Sequence, residues 1–294
     1  MSEEIDLEKV VTSLIDPIKY AGGRLMDVYS QEKIESMVKP IHGRCDVVTE
    51  GDMISDAFLC NIVRELFPNF GIVSEERYDE FNLGKIEPEL NKKYCFAIDA
   101  CDGSDDFKQK TGEFVLLIAL LDLEKKKPVV GMSYKPITQE LVTATAGKGA
   151  YSHSDDGSKK RLRVSDVTEL NQSHLVTSKF HNEEVMKYLL DDIKGKIGVI
   201  TAKGSGGNKM VDIAKGDADW YFRVTKRIPY WDIAAGHLIV EEAMGKFTAL
   251  NQSEIFYDQK DFEHKGGLLV TNGKIHQPAF EEIKKLLQET TQLL

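Results

Sequence analysis

The sequence is poor in cysteine, has fewer positive than negative charges and is free of any long apolar run. Its four cysteines, Cys45, Cys60, Cys95 and Cys101, show no paired metal-ligand spacing, which argues against a cysteine-held zinc module and leaves reduced thiols of a cytoplasmic protein as the expectation. Lys and Arg number 38 against 48 Asp and Glu, a formal net charge of -10. Binding to a nucleic-acid backbone draws most of its affinity from a basic face, so no nucleic-acid partner is expected. No apolar stretch reaches the length of a bilayer span, and no membrane partner is expected either. The amino terminus, MSEEIDLEKVV, opens acidic and amphipathic rather than basic and then apolar, so no secretory leader is expected. Internal repeats and low-complexity tracts are absent.

What is present is an ordinary globular composition: 294 residues, 41% hydrophobic and 29% charged, enough for one large core or two modest ones. Residues 6 to 30 place Val10, Leu14, Ile18 and Leu25 at helical spacing, with an interruption expected at Gly22-Gly23. Asp52 to Phe67 reads as a second amphipathic helix. Strands are expected at 95 to 99, 114 to 122, 128 to 134 and 140 to 146, joined by turns that suit a largely antiparallel sheet.

The polar segment 152 to 160 reads as a turn between strands, and Val164 to Ser173 as a link between two halves. That divides an α+β half, residues 1-165, from an α/β half, residues 166-294. In the second half LVTS, IGVIT, ADWYF and GLLVT alternate with helices expected at Asn182 to Leu190, Asn208 to Lys215, Asp232 to Met244 and the carboxyl terminus.

Chemistry concentrates in Asp99-Ala-Cys-Asp102-Gly103-Ser104. Two carboxylates three residues apart, leaving a strand end, supply hard oxygens of the kind Mg2+ prefers, and a carbonyl between them can add another. Gly103 lets the chain turn, and the N-H groups of Gly103 and Ser104 can cradle a phosphate. Each acidic feature also has a plain structural reading. The Asp99 to Ser104 turn could be capping alone, Glu75-Glu76 could be a solvated surface pair, and Asp232, before an apolar helix, could be only its N-cap.

Taken together, DVVTEGD (46 to 52), GIVSEE (71 to 76), AIDACDGSDDF (97 to 107), GKGAY (147 to 151), GSGGNK (204 to 209) and YWDIAAGHLIVEEAMGKF (230 to 247) resemble the inositol monophosphatase superfamily. This is a group of lithium-sensitive, Mg2+-dependent phosphatases that includes the 3'(2'),5'-bisphosphate nucleotidases. The resemblance spans most of the chain and implies a layered αβαβα sandwich. It also implies two to three Mg2+ ions. Glu75, Asp99, Asp102 and the Cys101 carbonyl would hold the first, Asp99, Asp102 and Asp232 the second, and Glu76 would support a weaker third. Asp52 and Ser104 would position and activate the attacking water, with Thr49 structural. Cys101 would contribute only its backbone, since a thiolate among four acids is unfavourable. The chain departs from the family at Ala100, commonly Pro, and at Ser104, usually Thr, without losing a ligand. The sequence offers no evident purpose for Asp105-Asp106.

For the substrate, the inositol phosphatases carry a glutamate seven residues before the last metal aspartate; here Thr225 stands there, followed by Lys226 and Arg227. The exchange disfavours a neutral polyol and favours a second anionic group, as in adenosine 3',5'-bisphosphate. Ser178-Lys-Phe-His181 and Gly207-Asn-Lys209 resemble stretches of the bisphosphate nucleotidases. On that resemblance Ser178, His181, Gly207, Lys209 and Arg223 would line the nucleotide pocket, with Lys209 or Arg223 on the 5'-phosphate. Trp220 and Tyr221 could offer a stacking platform, although at least one is expected in the core. The alternatives are an inositol or other sugar-phosphate phosphatase and, in another class, a catalytically weak phosphate-binding relative. Monomer and homodimer are both open.

Overall fold

A computed structural model describes residues 5-41, 44-77, 92-179, 190-258 and 261-293. Helix α1 (Leu7–Tyr29) starts where the Asp6 carboxylate accepts the N-H groups of Glu8 and Lys9 at 3.1 and 3.2 Å. The interruption expected at Gly22-Gly23 is absent. The helix runs through both glycines, because Gly22 lies against Tyr134 and a Cβ there would come within 2.5 Å of its ring. A hairpin of β1 (Ser36–Ile41) and β2 (Arg44–Thr49) leads into α2 (Glu50–Leu66), which packs beside α1.

The central sheet follows: β3 (Gly71–Ser74), β4 (Tyr94–Asp102), a short helix α3 (Ser104–Lys108), then β5 (Val115–Asp122), β6 (Lys127–Lys135), β7 (Glu140–Thr145), β8 (Gly149–His153) and β9 (Lys159–Arg161). Their spatial order is their sequence order. From β4 onward every pairing is antiparallel, and β3 joins β4 in parallel. Strand β5 is buried along its whole length, and its alternation assigns its two faces. Leu116, Ile118 and Leu120 meet α1 and α2 in one apolar cluster, while Val115, Leu117, Ala119 and Leu121 belong to another on the opposite face. Each such leucine or isoleucine contributes about 1.5–3 kcal/mol by its burial.

The second half supplies β10 (His174–Ser178), β11 (Val199–Lys203), α4 (Gly206–Lys215), β12 (Trp220–Arg223), β13 (Arg227–Pro229), α5 (Tyr230–Glu242), β14 (Lys246–Ala249), β15 (Glu263–Lys265), β16 (Leu268–Thr271) and α6 (His276–Leu293). A mixed five-stranded sheet has the order β11-β10-β12-β16-β14. Helices α4 and α5 lie between the two sheets, and α6 covers the outer face of the five-stranded one. The layers are therefore α1/α2, sheet, α4/α5, sheet, α6, the expected αβαβα sandwich.

The helix expected from Asn182 lies outside the described residues except for its end. Trp220 and Tyr221 are both core residues, so neither is a stacking platform. Trp220 is buried among α6 side chains with its indole N-H on the Ser173 hydroxyl at 3.1 Å, and Tyr221 is buried between the sheets.

Candidate active site

The site is built where β4 ends. Asp99 pairs with Leu117 on β5 and Asp102 with Val115, so three steps along one strand meet two along the other. The additional residue makes a bulge, the device by which a strand is bent and its side chains re-aimed. One residue past β3, the N-H of Glu75 donates to the Ile98 carbonyl at 3.3 Å, which sets Glu75 beside Asp99. Oxygens of Glu75, Asp99 and Asp232 lie within 4.8 Å of one another. Glu76, the next residue along the chain, is half-buried.

Asp232 is not the N-cap expected for it. Helix α5 starts at Tyr230 with Pro229 at the cap position, so Asp232 lies in the first turn, where the positive end of the helix still favours a carboxylate. Arg223 is largely buried, with its Nη1 3.3 Å from Asp232 Oδ2.

Burial, and after it the charges of Glu75, Asp102 and Asp232, hold the Asp99 carboxyl well above its ordinary range. Hard oxygens crowded in this way, with their mutual repulsion only partly offset, suit a small dication. The donor set therefore fits Mg2+. Cys101 between them is no nucleophile. Burial first, then Asp52, Asp99 and Glu75, push its thiol far above the range in which a thiolate forms.

Helix α2 delivers Asp52 from a capping box. The Thr49 N-H donates to Asp52 Oδ2 at 2.8 Å, the Thr49 hydroxyl bonds the same oxygen, and the Asp52 N-H returns to Thr49 Oγ at 3.3 Å. The other oxygen, Oδ1, accepts the Ser104 hydroxyl at 2.6 Å, while the Cys101 carbonyl lies 3.2 Å from the same hydroxyl. A hydroxyl has one proton to give, and the shorter contact assigns it to Asp52. That leaves the lone pairs of Ser104 Oγ free to accept from a water. Burial raises the Asp52 carboxyl, with the Ser104 and Thr49 hydrogen bonds opposing it.

Gly103 makes the turn between Asp102 and Ser104 at φ +107°, and a Cβ there would approach the Glu113 carbonyl to 2.9 Å. Conformation and space both require glycine.

Asp102 stands outside the three-carboxylate group and faces the second half of the chain. Its Oδ2 accepts the Ser205 hydroxyl at 2.6 Å and the Gly207 N-H at 2.5 Å, and its Oδ1 accepts the Gly206 N-H at 3.2 Å. A carboxylate thus occupies the amino-terminal end of α4, where exposed N-H groups favour an anion. A Cβ on Gly207 would come within 2.8 Å of Val115 and Leu117, so glycine there lets α4 approach β5.

Of the expected pocket residues, Ser178 ends β10 with its hydroxyl on the buried Tyr221 phenol. Lys209 is buried, its ammonium on the Lys203 carbonyl at 3.1 Å and 5.3 Å from the centre of the Tyr221 ring; burial lowers its pKa to about 8. Arg227 pairs with the buried Glu263 at 3.0 Å. His181 lies outside the described residues.

Sequence reasoning missed Ser205 and a group formed by Asp106, Glu113 and Lys179. Glu113 Oε2 accepts the Gly204 N-H at 2.7 Å and lies 2.5 Å from the Lys179 ammonium, which is 3.8 Å from Asp106. The one available signal was the glycine pattern of GSGGNK. Gly204 lies against the Asp106 carboxylate, so Asp106, whose purpose the sequence left open, shapes this loop.

The model of the inositol monophosphatase family matches residues 6–291. An inositol-1-monophosphatase of Synechocystis is 29% identical over 296 residues, covering 98% of this chain and 91% of that protein. The 3'(2'),5'-bisphosphate nucleotidase CysQ of Aggregatibacter actinomycetemcomitans is 28% identical over 214 residues, 73% of this chain and 76% of that protein. Among solved structures, the Thermotoga maritima IMPase superposes with a TM-score of 0.79 at 24% identity, over 96% of this chain and 99% of that one.

Proposed function

The chain belongs to the inositol monophosphatase family, and from that premise we propose that it hydrolyses small phosphate monoesters with Mg2+, adenosine 3',5'-bisphosphate being its substrate and AMP and phosphate its products. The observation that carries the reaction type is the Ser104–Asp52 pair, bonded at 2.6 Å beside the carboxylates of Glu75, Asp99 and Asp232. Glu75, Asp99 and the Cys101 carbonyl would hold one ion; Asp102, expected on that ion from the resemblance, stands apart from Glu75 and would join Asp99 and Asp232 on a second, with Glu76 supporting a third. Bound Mg2+ supplies positive charge that offsets the phosphate dianion and lowers the pKa of the attacking water.

The protein's own groups do the rest. Ser104 Oγ accepts one hydrogen of the water and orients it toward phosphorus. As the water oxygen bonds to phosphorus and the ester P–O bond breaks, the water's proton moves through Ser104 to Asp52. The leaving alkoxide takes its proton from solvent. A carboxyl raised by burial accepts a proton more readily than an exposed one, and Asp52 is so placed. The N-H groups of Gly103 and Ser104 are suited to hold the phosphate oxygens. Lithium inhibition belongs to the same reading, through competition for the weakest ion position.

Preference for a nucleotide rests on the exchange of an acceptor for Thr225, with the exposed Lys226 beside it, and on the CysQ relative. A second reading, inositol phosphate, is favoured by the pairing of Arg223 with Asp232 and of Arg227 with Glu263, which occupies two cations that a second phosphate would use. Phosphate release from adenosine 3',5'-bisphosphate and from inositol 1-phosphate, with Mg2+ and then EDTA, separates them. The expected result is nucleotide preference abolished by EDTA. Preference for the inositol ester would transfer the assignment to the second reading, and EDTA-resistant activity would remove the metal mechanism.

A further inference from the structure

We infer that Glu113 is a positioning residue for the active site: its carboxylate fixes the segment Gly204–Gly207, whose hydroxyl and N-H groups orient Asp102. This rests on the proposal above that Asp102 is a metal ligand. Glu113 stands two residues before β5, in the first half of the chain. The segment that it grips precedes and begins α4, in the second.

Three observations support the assignment. First, Glu113 Oε2 accepts the Gly204 N-H at 2.7 Å, and the next three residues supply every donor recorded on Asp102 from that segment: the Ser205 hydroxyl and the N-H groups of Gly206 and Gly207. Second, the segment has no room to slide. A Cβ on Gly204 would lie 1.9 Å from Asp106 Oδ2, and Asp106 is itself buried and tied to the Thr111 hydroxyl at 2.5 Å. Third, Ser205 has φ 57° and ψ 131°, a backbone conformation that an L-residue keeps only where its surroundings impose it. Glu113 holds the residue before it, and the Ser205 hydroxyl is held twice, donating to Asp102 and accepting the Asn208 N-H at 3.0 Å as the N-cap of α4.

Glu113 also stays anionic at neutral pH. Burial by itself would raise its carboxyl, but the Lys179 ammonium and the Gly204 N-H hold it below its ordinary range. Lys179, Glu113 and Gly204 form one junction between the two halves, a few bonds from a proposed ligand.

The test compares wild type with Glu113→Ala, Glu113→Asp and Glu113→Gln, using Mg2+ calorimetry, amide exchange, and kcat and KM against Mg2+ concentration. Gln keeps an acceptor at the right reach; Asp keeps the charge but is one methylene short. Expected for Ala and Asp is faster exchange at Gly204, Gly206 and Gly207 with β5 unchanged, Mg2+ affinity and kcat lower by about tenfold, and KM for the ester little moved. Gln is expected to restore most of each. Should Ala not fold, Asp carries the comparison. Unchanged exchange and Mg2+ affinity in Ala or Asp, or a Gln variant as impaired as Asp, would overturn the inference. A wild type that neither binds Mg2+ nor releases phosphate would instead remove the functional reading, while faster exchange in the Asp variant would still support the grip on Gly204–Gly207.

Discussion

At the scale of single residues, the site depends on contacts that leave little tolerance. Ser104→Ala removes the one hydroxyl between Asp52 and the water. Turnover should fall about 10²–10⁴-fold, the range of a lost general-base pathway, with a smaller loss of thermal stability because the buried Asp52 loses a donor; turnover within a few-fold of wild type would reject the relay. Asp99→Asn should cost as much or more, and because it relieves crowding among acids it should also raise the melting temperature in the absence of metal. Gly103→Ala should fail differently, since it strains the backbone at φ +107° and drives a Cβ toward the Glu113 carbonyl. A loss of stability of about 1–3 kcal/mol in chemical denaturation is expected together with lost activity. The residue types of this site were legible because the GSGG segment at 204 to 207 and the DxxDGS segment at 99 to 104 concentrate glycines and acids. The partners of Asp102 were not, because Ser205 and Gly207 lie far along the chain and only the stacking of layers brings them together. Nor was the link from Arg223 to Asp232, for two residues of plausible function were each read alone.

At the scale of elements, periodicity was the informative signal and glycine the misleading one. The alternating and continuous apolar runs locate β4 to β7 closely, since strands buried on both faces leave few other readings. Gly22-Gly23 suggested a break in α1, yet helix packing needs a small residue there, and tertiary contact overrides the low helix propensity of glycine. The GKGAY segment also has an explanation that sequence order hides. Glu242, at the end of α5, accepts the N-H groups of Gly147 at 2.6 Å and Gly149 at 2.7 Å, closing the β7–β8 turn from another layer. Glu242→Ala strands the donor of the buried Gly149 and leaves that of the exposed Gly147 to water, and unfolding stability should fall by about 1 kcal/mol while the kinetics at saturating Mg2+ stay near wild type. A larger loss of kcat than of stability would mean that the turn is coupled to the Asp232 end of the helix.

At the scale of the whole molecule, pH stability should carry the mark of His276. This residue is buried at the start of α6, its ring nitrogens 3.1 and 3.0 Å from the hydroxyls of Thr248 and Thr271, and burial with the nearby Lys246 lowers its pKa from the ordinary 6.5 to about 4. Above 6.5 the ring is neutral in both folded and unfolded chains, and nothing is lost. Below it the unfolded chain takes up a proton that the folded one refuses, so stability falls progressively toward pH 4. Denaturation of wild type and His276→Gln, at neutral pH and in mild acid, should show a smaller acid loss in the variant; equal slopes would dismiss the histidine. The middle layer has a consequence of its own. Helix α5 is apolar on nearly every side because it has a sheet above and a sheet below, while its two ends carry Asp232 and Glu242. A polypeptide cut at the exposed Ser154–Ser158 turn would therefore yield two pieces, each missing a wall of the same room, and catalysis should return only when both are made together in one cell, as in fragment complementation.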